Sequence, residues 1–384
     1  MNEIPAKRVW TTIATSIIAL LGAFAVWASF SHEFTTPPRP VVLSRHSTNS
    51  QHRCAECHSD ITDQFAQAPH SRTLSRATAP ENQEAFVGRT FHNDLTDVSY
   101  HYEAGKDGID IITDAYSRKV SAKWIFGSGT HARTPLITWT DRDGKTAGIE
   151  HSVSSYPSGE LGLTLGAEDQ KETSGIYCLG AVRGPAETVN CFGCHSTHLP
   201  VEDGRLAMDR IVPNIGCARC HWNTTEHVHE MDADLPTTIE RFSELTPEQS
   251  VDRCGECHRR TEEMGAEVSP EDKSLGRFAP VGLTQSPCFQ QQGSVTLSSG
   301  AQARLDCTSC HNPHGPTSHD WRDHAAVCLD CHDGAHDRAA NCPKAARTDN
   351  CLTCHMPSVP ANKHLHFTDH WIRIRDTEPT PENQ

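Results

Sequence analysis

Cys307-Thr-Ser-Cys310-His311, Cys328-Leu-Asp-Cys331-His332 and Cys351-Leu-Thr-Cys354-His355 fall between Leu305 and Trp371, a stretch that closes on His364-Leu-His366-Phe-Thr-Asp-His370. A Cys-x-x-Cys-His unit is the attachment signal of c-type haem. Each thiol adds to one haem vinyl group, and the two-residue spacer sets the sulfurs apart by about the separation of those vinyls. The histidine that follows turns its imidazole onto the iron as the proximal ligand. Three such units so close together leave room for little besides haem.

Four more units lie upstream: Cys54-Ala-Glu-Cys57-His58, Cys191-Phe-Gly-Cys194-His195, Cys217-Ala-Arg-Cys220-His221 and Cys254-Gly-Glu-Cys257-His258. The seven use fourteen of the seventeen cysteines. One unit alone would be a weak signal, because Cys-x-x-Cys also serves zinc ribbons and redox dithiols. Neither a zinc site nor a disulfide scaffold needs histidine directly after the second cysteine, and here it is present every time. The expectation is seven covalently bound haem c groups. Their proximal ligands are His58, His195, His221, His258, His311, His332 and His355.

Of the 384 residues only 36% are hydrophobic and 6% aromatic, which is lean for a chain of this length. Macrocycles supply the missing apolar volume, so the core is expected to be haem wrapped by loops and short helices. The formal charge of −15 excludes nucleic acid as a partner and favours cationic protein faces. Val9 to Phe30 carry no charge and follow Lys7 and Arg8. About 20 apolar residues span a bilayer, whereas a secretory apolar region is shorter. An uncleaved anchor with a cytoplasmic N-terminus fits the positive-inside bias, and a signal peptide cut after Val26-Trp27-Ala28 is the alternative. On either reading the body of the protein leaves the cytoplasm for the periplasmic side of a bacterial inner membrane.

The expected organisation is an anchor or signal over 1–31, a Pro-containing linker over 32–50, a first haem-binding segment over 51–80, a β-rich insert over 81–180, a region with six haems over 181–375, and a disordered tail over 376–384. The insert occupies the one long interval between motifs, from Cys57 to Cys191. In it Val98–Glu103 alternates, Lys106-Asp-Gly108 turns, and Ile109–Thr113 returns. Lys119–Phe126, Leu136–Thr140 and Gly148–Tyr156 read as further strands, the last two joined by Asp141-Arg-Asp-Gly144. Pro236 to Arg260 reads as a helix with Thr246-Pro-Glu as a start signal.

Each iron has a sixth position. Only five methionines are present, and Met356 follows a proximal histidine too closely to turn back over its own haem. Of 25 histidines, seven are proximal, so bis-histidine ligation and low potentials are the default.

Several segments resemble the multihaem cytochrome c superfamily that includes hydroxylamine oxidoreductase and the tetrahaem cytochrome of ammonia oxidisers. They are Cys54–His70, Gly127-Ser-Gly-Thr-His131, Cys217–His227 (with Trp222-Asn-Thr in place of Gly-Pro-Gly), Phe278–Phe289, Cys307–His314 and Cys351–Ile374. The resemblance implies a mostly irregular and α-helical multihaem cytochrome c fold wrapped around stacked haems, here with a small β-rich insert and an N-terminal transmembrane helix. It also implies His70, His131, His227, His314, His364 and His370 as distal ligands. The glycines before His131 permit either close approach of backbone to a macrocycle or a plain bulge. Pro313 directs His314 towards a neighbouring haem. His324, His198, His336 and His229 are available for a seventh distal place. By the same resemblance Cys288 pairs with Cys342 in a disulfide, which leaves Cys178 as a buried thiol or a group near a reactive haem. His151, Tyr156 and Tyr177 are either ordinary residues of the insert or the lining of a substrate pocket.

Two functions follow as expectations. One is electron transfer along a haem wire, between a quinol-oxidising membrane protein or soluble cytochrome and a terminal acceptor. The other is oxidation or reduction of a small nitrogen or sulfur compound at one five-coordinate haem. A haem-rich scaffold inside a larger complex is a third.

Overall fold

The computed structural model describes residues 50–170, 172–264, 268–297, 299–332 and 350–375. The chain opens with two short helices, α1 (Ser50–Cys57) and α2 (Ser59–Phe65), and then enters a body built from strands. Strand β1 (Leu74–Arg76) and helix α3 (Pro80–Phe86) precede β2 (Thr90–Asn93), β3 (Val98–Ala104), β4 (Ile109–Thr113) and β5 (Tyr116–Ala122). There follow β6 (Trp124–Phe126), β7 (Thr134–Thr140), β8 (Thr146–His151), β9 (Val153–Ser155), β10 (Leu161–Leu163) and β11 (Gly180–Arg183).

These strands form a four-stranded antiparallel sheet, β2-β3-β4-β5, and a five-stranded one, β1-β6-β7-β8-β11, with β9-β10 as a separate hairpin. Strict alternation makes the first sheet one-sided. In β3 the side chains of Val98, Tyr100 and Tyr102 are buried while Ser99 and Glu103 point away, and in β4 Ile109, Ile111 and Thr113 are buried. Their apolar faces share one core with Phe86, Ile125, Ile137, Ile149, Val153 and Leu179 from the other sheet and its surroundings. Gly144, at a φ of +79°, closes the β7–β8 turn where a side chain would be strained.

The expected small β insert understates what is there: β structure is substantial. The five-stranded sheet draws its edge strand β1 from the first haem segment, by pairing Leu74–Arg76 antiparallel with Phe126–Trp124. Three residues are too few to show a period. The expected single strand over 119–126 is two strands that part at Lys123 and join different sheets.

The second half is helical and irregular. It contains α4 (Pro185–His195), α5 (Cys217–Cys220), α6 (Thr224–Asp232), α7 (Pro247–His258), α8 (Ala279–Gln285), α9 (Pro287–Gln291), α10 (Cys307–Cys310), α11 (Trp321–His332) and α12 (Leu352–His355). Short ladders β12 (Ser196–His198) with β15 (Val212–Pro213), β13 (Val201–Glu202) with β14 (Arg205–Leu206), and β16 (Ser358–Pro360) with β17 (His366–Thr368) pin the loops between them. The helix expected over 236–260 begins only at Pro247. There Thr246 Oγ1 accepts from Gln249 N while Gln249 Oε1 accepts from Thr246 N, a capping box that fixes the start. The outer face of the five-stranded sheet receives α4, with Leu74, Trp124, Leu136 and Phe192 in one cluster.

Among the described residues no helix is long and apolar enough to cross a membrane. The expected anchor over 1–31, the linker up to 49, the tail over 376–384, His336 and Cys342 lie outside the described residues.

His151 sits at the centre of the strand body. Its Nδ1–H donates to the Leu179 carbonyl at 2.6 Å, so its Nε2 accepts from the Tyr102 hydroxyl at 2.9 Å. Burial pushes its pKa from 6.5 down to about 4. The unfolded chain therefore binds a proton that the folded chain refuses, and stability present above pH 6.5 is lost as pH falls towards 4. The expected loss is about 3 kcal/mol. Thermal unfolding followed between pH 7 and pH 4 should show this slope in the native chain and a flatter one in His151→Gln.

Candidate haem-binding sites

All seven Cys-x-x-Cys-His units lie on or at the end of a helix: α1, α4, α5, α7, α10, α11 and α12 in chain order. Residues three apart on a helix share a face, so one turn presents both thiols to the same side. The turn is closed by the histidine itself. His58 N donates to Cys54 O at 2.8 Å, His221 N to Cys217 O at 2.9 Å, His311 N to Cys307 O at 2.9 Å and His355 N to Cys351 O at 3.0 Å.

Four of the proximal rings face a second histidine from a distant part of the chain. The centroid separations are 6.4 Å for His58 and His227, 6.0 Å for His258 and His70, 6.0 Å for His221 and His314, and 6.2 Å for His311 and His370. An imidazole–metal bond is about 2.0–2.1 Å and the ring centre lies roughly 1 Å behind the nitrogen, so two imidazoles on one metal have centres roughly 6.3 Å apart. The observed spacing fits an iron between each pair.

Hydrogen bonding fits it too. Nδ1 of His227 bonds Thr237 Oγ1 at 2.7 Å, Nδ1 of His370 bonds Thr368 O at 2.9 Å, Nδ1 of His195 bonds Thr73 O at 2.9 Å, and Nδ1 of His355 bonds Arg373 O at 3.0 Å. A ring tethered through Nδ1 keeps Nε2 for a metal, the usual arrangement of metal-ligating histidines. Burial drives His258 and His311 down to about 4 and lowers His70, His195, His221, His314 and His370, which holds them as neutral imidazoles at pH 7. Among the described residues no group of three or more His, Cys, Asp or Glu side chains is placed to hold a metal ion. The donor sets present suit a porphyrin that supplies the other four ligands.

The remaining expected residues sit elsewhere. His324 lies 5.8 Å from His311, but its Nε2 bonds the Ser318 carbonyl at 3.0 Å. His131 stands 5.6 Å from the Phe367 ring. The glycines before it close a tight loop: a Cβ on Gly127, at φ +97°, would stand 2.2 Å from the Ala132 carbonyl oxygen. His364 stacks on Tyr156 with ring centres 4.5 Å apart, and its Nδ1 lies 3.6 Å from Glu160. A Cβ on Gly162 would collide with its Nε2. It thus braces the β9–β10 hairpin against the C-terminal loop.

Cys178 is buried in the strand core, where its backbone carbonyl accepts from Tyr100 at 2.6 Å, and burial raises its pKa. His151 has both nitrogens engaged, Tyr156 donates to the Leu163 carbonyl, and Tyr177 is exposed. Cys288, on α9, lies close to Cys310, Cys328 and Cys331.

Neighbouring motifs touch through their thiols. Cys54 lies close to Cys217, Cys194 to Cys257, and Cys254 to Cys307, while Cys328 lies close to Cys310 and Cys351. Two arginines tie the third motif to the fourth. Arg219, inside the third motif's spacer, places Nη2 3.9 Å from Cys257 Sγ. Arg253, just before Cys254, donates to Cys220 O at 3.2 Å, pairs with Glu240 at 2.7 Å and lies over the Trp222 ring at 3.4 Å. Sequence reading passed over both, since nothing in a spacer or a helix marks one arginine from another.

A model of the family described as cytochrome c554 and c-prime matches residues 164–221, which include the second and third motifs. No curated protein matches the chain. The crystal structure of the outer cell wall cytochrome OcwA is similar at 14% identity and a TM-score of 0.48, over 84% of this chain and 78% of that one. The family match, with the motifs, supports a multihaem c-type cytochrome that carries covalently bound haem and transfers electrons.

Replacing His70 with alanine is expected to leave one haem per chain five-coordinate, that of His258. Electron paramagnetic resonance of the resting oxidised protein should then show one new high-spin signal that cyanide converts to low spin. His227→Ala should do the same for the haem of His58.

Proposed function

We propose that this multihaem cytochrome carries seven haems and conducts electrons along them at the periplasmic face of the inner membrane. The observation that carries the reading is the set of four histidine pairs spaced for iron, each joining motifs far apart in sequence. In this reading His227, His70, His314 and His370 are the distal ligands of the haems on His58, His258, His221 and His311. Filled axial positions suit transfer rather than chemistry at iron.

Contacts between motifs support an order for the wire in this reading. The first motif meets the third, the third meets the fourth, the fourth meets both the second and the fifth, and the sixth lies between the fifth and seventh. Cys57 and Cys354 are the exposed cysteines of the motifs, which supports taking the first and last haems as the ends open to partners. Electrons would pass between a quinol-oxidising membrane protein or soluble cytochrome and a terminal acceptor through these two ends, with the N-terminal apolar segment holding the chain at the membrane. The charge of −15 suits redox partners with cationic faces. Kinship with the superfamily that includes hydroxylamine oxidoreductase belongs to the same proposal and rests on the segments Cys307–His314 and Cys351–Ile374.

Intact mass of the protein from haem-maturing cells should give seven haems on one chain, and resonance spectra should show low-spin iron throughout. A single high-spin haem that binds nitrite or cyanide would move the reading to catalysis, and a bare polypeptide mass would end it.

A further inference from the structure

We propose that Arg219 and Glu256 form a buried charge couple that sets the redox potential of the haem on Cys254, Cys257 and His258. The inference rests on the haem reading above and concerns the motif where the branches of the wire meet. Both residues are spacer residues: Arg219 from Cys217-Ala-Arg-Cys220-His221, Glu256 from Cys254-Gly-Glu-Cys257-His258. A spacer residue has no part in attachment and ordinarily faces solvent. Here the two side chains are 7% and 12% exposed, and Nη1 of Arg219 lies 3.8 Å from Glu256 Oε2. The same guanidinium reaches the Cys257 sulfur with Nη2 at 3.9 Å, the atom that would carry a thioether to the macrocycle.

Glu256 is gripped from its other side by Arg260, whose Nη2 is 3.6 Å from Oε1. Arg260 is itself held by Asp252, at 2.5 Å, and stands 3.8 Å from Glu263. Its charge is therefore shared among three carboxylates. Cys194 completes the surroundings, with its sulfur close to Cys257 and 3.9 Å from the Glu256 carbonyl. Three motifs thus converge on one arginine and one glutamate.

Burying an ion pair costs desolvation free energy that the attraction between partners only roughly offsets. Stability alone is a poor reason to keep one between two spacers. The charges have a second effect: reduction removes one positive charge from an iron porphyrin. A fixed cation nearby favours the reduced form and a fixed anion the oxidised form, with little screening when both are buried. Arg219 and Glu256 act on the same haem with opposite signs.

The test is a redox titration of the full-length haem-loaded chain with Arg219→Met, Glu256→Gln, the double variant and Arg219→Lys, each checked for seven haems by mass. A native chain that lacks some other haem would defeat the seven-haem wire reading and leave this proposal standing, whereas absence of the haem on Cys254 and Cys257 would defeat both. Arg219→Met should lower the reduced-to-oxidised ratio of one haem at fixed applied potential by roughly threefold or more, and Glu256→Gln should raise it comparably. The double variant should fall between them, and Arg219→Lys should stay near the native value. Should Arg219→Met fail to take up haem, Glu256→Gln against Arg219→Lys still decides. Shifts of the same sign in both single variants, no shift in either, or a lysine variant displaced as far as the methionine one would overturn the proposal.

Discussion

Two imidazoles from remote parts of the chain facing each other across one iron-sized gap is the constraint that shapes the helical half of this protein. His58 is matched by a histidine 169 positions on, and His258 by one 188 positions upstream. Each such pair, once bridged, would act as a cross-link and close a long loop. Short helices and irregular loops can then persist where a conventional core could not hold them. Beyond the β body the apolar clustering is slight: Val251, Leu283 and Phe289 are the buried members of its own cluster. On the haem reading, order in this half would depend on the axial pairs and thioethers, as in metal-dependent domains whose binding free energy is folding free energy.

The strand body obeys a different rule. It has a two-sheet core of its own, with aromatic and β-branched side chains alternating inwards and a buried histidine satisfied on both nitrogens. It meets the haem half at several points, one of them at His195. Phe126, on β6, packs its ring 4.8 Å from that of His195, and Thr73, beside β1, accepts from His195 Nδ1. The outer sheet face thereby orients the second proximal imidazole. His151 and Cys178 are buried within this core.

What could be read from sequence follows from how far each feature reaches. A Cys-x-x-Cys-His unit is a single helical turn, so its chemistry is written in five adjacent letters. Strands β3 and β4 were equally legible, because seven and five residues suffice to show a period of two. Strand β1, three residues long, was not, and the break between β5 and β6 was not either, since both are set by which strands they pair with. Distal pairing is wholly non-local: nothing near His70 or His227 names the partner. The glycines before His131 are a local cue that backbone comes close there, and one neighbour that comes close is the chain's own Ala132 carbonyl.

Charge is distributed against the trend of the whole molecule. The surface is acidic on balance, yet the haem half draws arginines inward at places where motifs meet. Arg253 is 9% exposed and holds the Cys220 carbonyl; Arg373 and Arg375 converge on Asp369, 8% exposed, beside His370; Arg304 lies 2.6 Å from the fully buried carboxylate of Asp306, which caps the fifth motif. Each buried cation is matched by a carboxylate, so solvation loss is limited by pairing. Each also stands within a few residues of a thioether cysteine or an axial histidine. A stack of haems whose charge changes with every electron needs fixed counter-charges that cannot rearrange as water does. Planar guanidinium groups, locked by hydrogen bonds to backbone and carboxylate, meet that need better than a flexible ammonium would.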